Sequence, residues 1–497
     1  MSPSNHQHSI ITISYTELQQ SPPAPSTLAK IAHGFGNQDN CKGIIAITDI
    51  PKFPALRNKA LTLIHALATQ TAKDVLEELE DPKSYYSVGW SHGKEKVEAD
   101  KFDMGKGSFY FNPITHDPLE AILQRDFGIG IGDGNGNGDG NGNGNGKTNE
   151  NEDSEEEQTT TALDEPNTII TNREKERKAF LTHAEGNGAF YAPNIWPHRT
   201  LPELQDTAME MGGLIRDIGK LVARQCDAYV LSQCDIDADA DADTDTDTDA
   251  DTDADTDTDA DAGVNTYSPG KIQHVIDNSL CCKARLLHYF PVVAAAETDN
   301  DADANSNGVH VHAGSGNSIC CDNENENQDG TVANDGDFSD WCGWHNDHCS
   351  LTGLVPAMYF NGDGEEIPCP DPAAGLYIKS RNGGLFHVQV PSDALAFQIG
   401  ETSQIHTGGI LQATPHAVRG CDPALEGCKG VSREAFAVFM EPEYFGDMDI
   451  PVGKTIEDAQ KKDTEKYFPK NVATLRSRWS AGMNFGQFSE ATFSAFY

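Results

Sequence analysis

From Trp341 onward the chain breaks into short segments: AMYF, GLYIKS, LFHVQVP, ALAFQIG, TPHAV and REAFAVFMEP. Each is rich in β-branched or aromatic residues, and glycine, proline or asparagine stands between them. A strand this short cannot bury its own apolar face. Several in succession, with turn residues between, close on one another as an all-β sandwich or jelly roll.

The preceding sequence supplies helices. GIIAITDIP (Gly43 to Pro51) reads as a strand, but Ala55 to Asp81 reads as a helix with Leu61, Ile64, Leu67, Val75 and Leu79 on a helical repeat. Leu201 to Val230 gives a second long helix, with Leu204, Ala208, Met211, Ile215, Ile218 and Val222 on one face. Helices come first and the β-core follows. The C-terminal TLRSRWSAGMNFGQFSEATFSAFY, mixed helical and aromatic, is expected to pack outside that core.

Three tracts interrupt this pattern, and they explain the formal charge of -42. Residues 128–165 carry -9, residues 235–261 carry -14 and residues 297–340 carry -11, leaving only -8 for the rest. GDGNGNGDGNGNGNG maximises backbone freedom and buries nothing, so ordering it would cost entropy without return. Asp235 to Asp261 places an aspartate at every odd position, and as a strand all would repel from one face. A calcium loop would need a glycine at its sixth position and a closing glutamate, which the aspartate tract lacks. The tracts read as solvated insertions. Coulomb repulsion argues against nucleic acid or an anionic membrane as partner. The N-terminus shows no signal-peptide pattern, and no apolar run is long enough to span a membrane. The twelve cysteines form no C-x-x-C pair, which points to reduced thiols and a cytoplasmic location. Cys421 and Cys428 read as plain loop residues.

The chemistry concentrates in DWCGWHNDHCSLTG (Asp340 to Gly353). On a strand, His345 and Asp347 would share a face while Asn346 points away. A third ligand could be His348, His387, His406 or His416. Two imidazoles and one carboxylate on a β scaffold make the facial triad of non-haem Fe(II) oxygenases, which leaves positions open for oxygen and an organic acid. Arg433 could hold the far carboxylate of that acid, because a guanidinium fork matches two oxygens. It shares its strand face with Ala435, Ala437 and Phe439. Singly, His345 or His416 reads as a structural histidine and Arg433 as a buried ion-pair residue. Their ordered occurrence with Asp347 favours iron.

The run from Gly343 to Pro442 resembles the isopenicillin N synthase-like Fe(II)/2-oxoglutarate dioxygenases. HNDHCSLTGLVPAMYF matches that family's H-x-D and leucine-threonine-leucine segment, GLYIKS its GL-x-V strand, and IGETSQI its G-D-x-x-Q strand end. HTGG, HAV and REA follow in the family's order, and NIWP, RLLHYFP and GIIAITDIP have counterparts upstream. The resemblance implies His345, Asp347 and His416 as iron ligands, with Arg433 and Tyr289 as 2-oxoglutarate contacts. Three positions depart from the pattern: Ala435 replaces a serine, Phe290 a tyrosine, and Ala417 an arginine.

The fold class expected is β-rich α+β, with a double-stranded β-helix (jelly-roll) core, an N-terminal helical shell and disordered acidic and Gly/Asn insertions. Its parts are an N-terminal α/β region (1–127), a Gly/Asn/Glu insertion (128–165), a long helix with its support (166–234) and an Asp-rich insertion (235–264). There follow a core strand (265–296), an acidic insertion (297–340), the jelly-roll core (341–445) and a C-terminal packing segment (446–497). The function expected is oxidation of a C–H bond of a small molecule by dioxygen, with Fe(II) and 2-oxoglutarate. The rivals are an oxidase of this fold that does not use 2-oxoglutarate, a catalytically inactive jelly-roll binding protein, and calcium buffering by the aspartate tract.

Overall fold

The apolar runs pair into one large and one small sheet. A computed structural model describes residues 10–98, 101–128, 165–242, 267–293, 341–460 and 472–496. Most of the three biased tracts lies outside the described residues, although the Glu203–Ala242 helix continues into the start of the aspartate tract. In chain order the early strands are β1 (Ile11–Ser14), β2 (Ile45–Thr48), β3 (Gly89–His92), β4 (Lys96–Glu98), β5 (Lys101–Phe102), β6 (Lys106–Phe111) and β7 (Lys283–Tyr289). After Trp341 come β8 (Cys342–His345), β9 (Leu351–Phe360), β10 (Glu366–Ile367), β11 (Gly375–Lys379) and β12 (Leu385–Val388). The last three are β13 (Leu395–Ile399), β14 (His416–Arg419) and β15 (Ser432–Met440).

The large sheet runs β1-β2-β13-β9-β15-β7-β6-β3, with β10 on the flank of β9. The small sheet runs β12-β11-β14-β8, and β4 pairs with β5 alone. One cavity is lined from both sheets, by residues of β7, β9 and β15 on one side and of β8, β11, β12 and β14 on the other. This arrangement agrees with the jelly-roll core expected from the sequence.

The outer face of the large sheet is covered by the Phe53–Gln70 and Glu203–Ala242 helices. Leu204, Ala208, Met211, Ile215, Ile218 and Val222 are all buried, as their spacing predicts. Each such side chain contributes roughly 2 kcal/mol of apolar burial. Glycines set the closeness of the packing: a Cβ on Gly353 would lie 2.3 Å from Ile215 Cγ2, and one on Gly219 would lie 2.4 Å from Met440 Sδ. The first helix ends sooner than its periodicity predicts. Thr71 and Ala72 are extended, and a separate Lys73–Glu77 turn follows. Burial resumes at Leu76 rather than Val75, so the stripe slips by one position at the break. The Phe485–Phe496 helix packs through Phe485 and Phe488 into a smaller core with Phe190, Tyr444 and Trp479.

A bulge shapes the middle of the large sheet. Phe436 pairs with Val355 and Glu434 with Met358, so Pro356 and Ala357 together face Ala435. A proline has no N–H for the ladder, and a bulge is where a central strand tolerates it. The surplus carbonyls are taken by Arg57 of the outer helix, whose Nε donates to Pro356 O at 2.8 Å and Nη2 to Ala357 O at 2.6 Å.

Candidate functional site

The β14 and β8 ladder brings His416 directly opposite His345, with ring centroids 4.2 Å apart. Strand β8 stops at His345, so Asp347 lies beyond its end. The pair therefore converges by a turn of the chain rather than by the pleat that the i, i+2 spacing suggested. Asn346 faces away and donates to Glu401 Oε1 at 3.2 Å. Asp347 Oδ1 stands 3.8 Å from His345 Nε2 and 3.8 Å from His416 Nε2. That is too long for a hydrogen bond and leaves a gap among three donor atoms that all lie within 4.8 Å of one another.

Neighbouring groups aim these donors. His345 Nδ1 lies 2.8 Å from Gly343 O, and His416 Nδ1 lies 3.3 Å from Thr414 O, so an N–H at each Nδ1 leaves the Nε2 lone pair facing Asp347. Thr352 Oγ1 donates to Asp347 Oδ2 at 2.7 Å and frees Oδ1 for the gap. Burial and the adjoining His345 push His416 down to about 4, toward the neutral imidazole that ligates metals. At His345 burial is outweighed by Cys342 and Asp347, which raise it to about 9, and an incoming metal would displace that proton. Burial pushes the Asp347 carboxyl up, but His416, His345 and Thr352 outweigh it and hold it below the usual carboxylate range. The donor set of two imidazole nitrogens and one carboxylate oxygen fits a divalent transition metal.

Arg433 projects from β15 into the cavity that the three side chains also line, a space of about 530 Å³. Ala435, Ala437 and Phe439 line it too, as the strand-face reading predicts. Arg433 is flanked in the ladder by Tyr289 on β7 and Tyr359 on β9, with its Cζ 4.9 Å from the Tyr289 ring. Its Nε and Nη1 are buried and have no hydrogen-bond partner among the described residues. Burial works against its charge, and the two tyrosines more than offset that. A buried cation with two free donors is a receptor for a carboxylate.

The sequence departures now have locations. Phe290 lies on the opposite face of the sheet, with its ring 4.5 Å from His288; Tyr289 is the residue beside Arg433. Ala417 packs with Trp344, Tyr377 and Val472, and Ala435 lines the cavity. Three alternative ligands fall elsewhere. His348 stacks on Phe485, and His406 Nε2 meets Asp447 O at 2.7 Å. His387 lines the cavity, but its Nε2 meets Ala374 O at 3.1 Å and its ring stacks on Tyr377. Thr352 and Tyr359 were missed as functional side chains by sequence reasoning, although both lie within the quoted HNDHCSLTGLVPAMYF motif.

No known sequence family matches the chain, and no curated protein matches it. Solved structures do. A full-length Neurospora crassa protein in complex with alpha-KG and thymine is 14% identical, with 98% of this chain and 97% of that chain covered at a TM-score of 0.48. A rice dioxygenase for auxin oxidation is 12% identical, with 87% and 83% covered at a TM-score of 0.38. A 2OG-Fe(II) oxygenase family protein from Caulobacter crescentus is 13% identical, with 98% of this chain and 99% of that chain covered at a TM-score of 0.50. At that identity the likeness is one of fold: this chain is similar in architecture, along nearly its whole length, to a 2OG-Fe(II) oxygenase family protein.

Proposed function

We propose that the protein is a non-haem Fe(II)-dependent oxygenase, of the isopenicillin N synthase-like kind, that uses 2-oxoglutarate and dioxygen to oxidise a C–H bond of a small molecule. His345, Asp347 and His416 would hold the iron. Arg433, with Tyr289 and Tyr359 beside it, would hold the far carboxylate of 2-oxoglutarate. One observation carries the reading: a His-Asp-His donor set and a buried arginine with two unpartnered nitrogens face the same cavity.

Bound iron would supply the oxidising power, which no side chain here possesses. The chain supplies orientation and dryness. Arg433 offers its donors from a low-dielectric wall, where a charge-assisted pair is stronger than in water. Thr352 and the backbone carbonyls of Gly343 and Thr414 fix the three ligands before any ion arrives. Leu287, Leu354, Leu376, Val388 and Val390 give the remaining walls apolar patches between polar groups such as Arg285, Asp371 and Gln389, and the volume suits a cosubstrate together with a small organic molecule. A cytoplasmic location fits the free thiols among the described cysteines. No helix among the described residues is long and apolar enough to cross a membrane.

The test is anaerobic titration with Fe(II), with and without 2-oxoglutarate, followed by the weak visible charge-transfer band. One iron per chain is expected, with a band only when 2-oxoglutarate is present. Arg433→Ala is expected to weaken 2-oxoglutarate binding about 100-fold, the loss of roughly 3 kcal/mol from two charge-assisted hydrogen bonds. Iron binding that never yields the band would leave an oxidase without this cosubstrate. Succinate release without added substrate would separate an enzyme from an inactive binding protein.

A further inference from the structure

A second group of two histidines and a carboxylate lies on the other face of the large sheet. Glu434 and His288 are ladder partners on β15 and β7, one residue along from Arg433 and Tyr289 and pointing the opposite way. His65 reaches them from the Phe53–Gln70 helix. His65 Nδ1 is 2.8 Å and His288 Nδ1 is 2.7 Å from the same oxygen, Glu434 Oε1. The Ser432 hydroxyl donates to that oxygen at 3.0 Å and lies 3.5 Å from His65 Nδ1.

We propose that His65, His288 and Glu434 bind a second divalent cation, of the zinc type, in a closed site distinct from the candidate iron centre. Glu434 is fully buried, and His288 and His65 are nearly so. Oε1 accepts three hydrogen bonds while Oε2, also buried, has no partner among the described residues. Among the described residues the ion-pair partners of Glu434 are the two imidazoles alone. The unpartnered Oε2 leaves a buried carboxylate oxygen for a divalent ion to take. Two imidazole nitrogens and a carboxylate are zinc ligands, and the Ser432 hydroxyl stands beside the remaining position. The rings are already fixed, since His65 stacks on Phe360 at 4.1 Å and His288 meets the edge of Phe290 at 4.5 Å.

The donors stand closer than the roughly 3.3 Å that separates ligands around a tetrahedral zinc at about 2.0 Å. Binding therefore opens the cluster by about half an ångström, exchanging shared hydrogen bonds for metal bonds. Each Nδ1 gives up its proton, to Nε2 of the same ring or to solvent, and the ion takes its place. The effect is to pin the outer helix to the two strands that carry Arg433 and Tyr289.

The experiment measures zinc per chain in full-length protein grown with added zinc. The His345→Ala/Asp347→Ala chain, which lacks the iron ligands, is expected to retain one zinc after dialysis. Adding Glu434→Gln is expected to lower this at least tenfold, and cobalt in place of zinc should give the visible spectrum of a tetrahedral site. A folded His345→Ala/Asp347→Ala chain without zinc, or one that keeps its zinc through Glu434→Gln, overturns the proposal. Should that chain fail to fold, a zinc-loaded wild-type chain carrying fewer than two ions overturns it instead.

Discussion

The two histidine-carboxylate groups share a composition and differ in which ring nitrogen faces inward. At His345 and His416 a backbone carbonyl sits against each Nδ1, so the Nε2 atoms face the carboxylate across a gap of 3.8 Å. At His65 and His288 no carbonyl intervenes, and Nδ1 itself closes on Glu434 to hydrogen-bond distance. The first arrangement is held open by the β-ladder; the second has collapsed onto one oxygen. The same residue types therefore differ in what an ion must do to enter. The first group keeps its donors apart, whereas the second must exchange shared hydrogen bonds for metal bonds.

The largest separation between the two should come from Asp347→Ala. It is expected to weaken iron binding by more than about 1000-fold, beyond the roughly 10–100-fold that follows loss of a group hydrogen-bonded to a ligand. Urea unfolding of the metal-free protein should change by only about 1 kcal/mol, because the buried hydrogen bond with Thr352 is lost but the cost of desolvating the carboxylate goes with it.

Glu434→Ala should behave in the reverse manner. It leaves two buried imidazoles without their acceptor and is expected to cost about 3 kcal/mol of stability, while iron titration stays within about twofold. If iron binding collapses along with stability, the two groups are not independent and the comparison fails. The same carboxylate gives a pH signature. Burial raises the Glu434 pKa, but His288 and His65 outweigh it and hold it below the ordinary 4.5. Its stabilisation is therefore complete above the unfolded-state value and lost as pH falls through the lower folded-state value. Wild type should lose more stability than Glu434→Gln as pH drops from about 6 to about 3, and parallel curves would contradict this.

Thr352→Val tests whether the gap in the first group is held from behind. Iron affinity should fall about 30-fold with the fold intact; no change would mean that Asp347 needs no second tether. The smallest effect is expected at Tyr359→Phe, where loss of one hydroxyl should weaken 2-oxoglutarate binding about fivefold without altering iron affinity.

Much of this was legible in the sequence, and the reasons are specific. The buried stripe of Glu203–Ala242 was readable because periodicity and burial coincide over many turns. The candidate ligands were readable because His345 and Asp347 are close in sequence and His416 and Arg433 follow in a known order. Tyr359 was hidden: alternation counted straight through β9 from Val355 puts it on the outer face, and the bulge turns it inward. The break at Thr71 was hidden because the residues around it carry ordinary helix composition. The second group was out of reach, since His65 and Glu434 are 369 positions apart and Glu434 is only the variable middle residue of REA.

The bulge leaves β9 with one residue more than its neighbour can match, and such a strand can slide to absorb the surplus. A slip of one position that absorbs the surplus would carry Met358 to the place beside Arg433 and turn the tyrosine hydroxyl to the opposite face. Arg57 is the latch against that slip, because it reaches from the Phe53–Gln70 helix to the edge of the cavity and grips both surplus carbonyls. The polarity of the inner wall thus depends on a helix side chain, and loosening one guanidinium would exchange a phenol for a thioether.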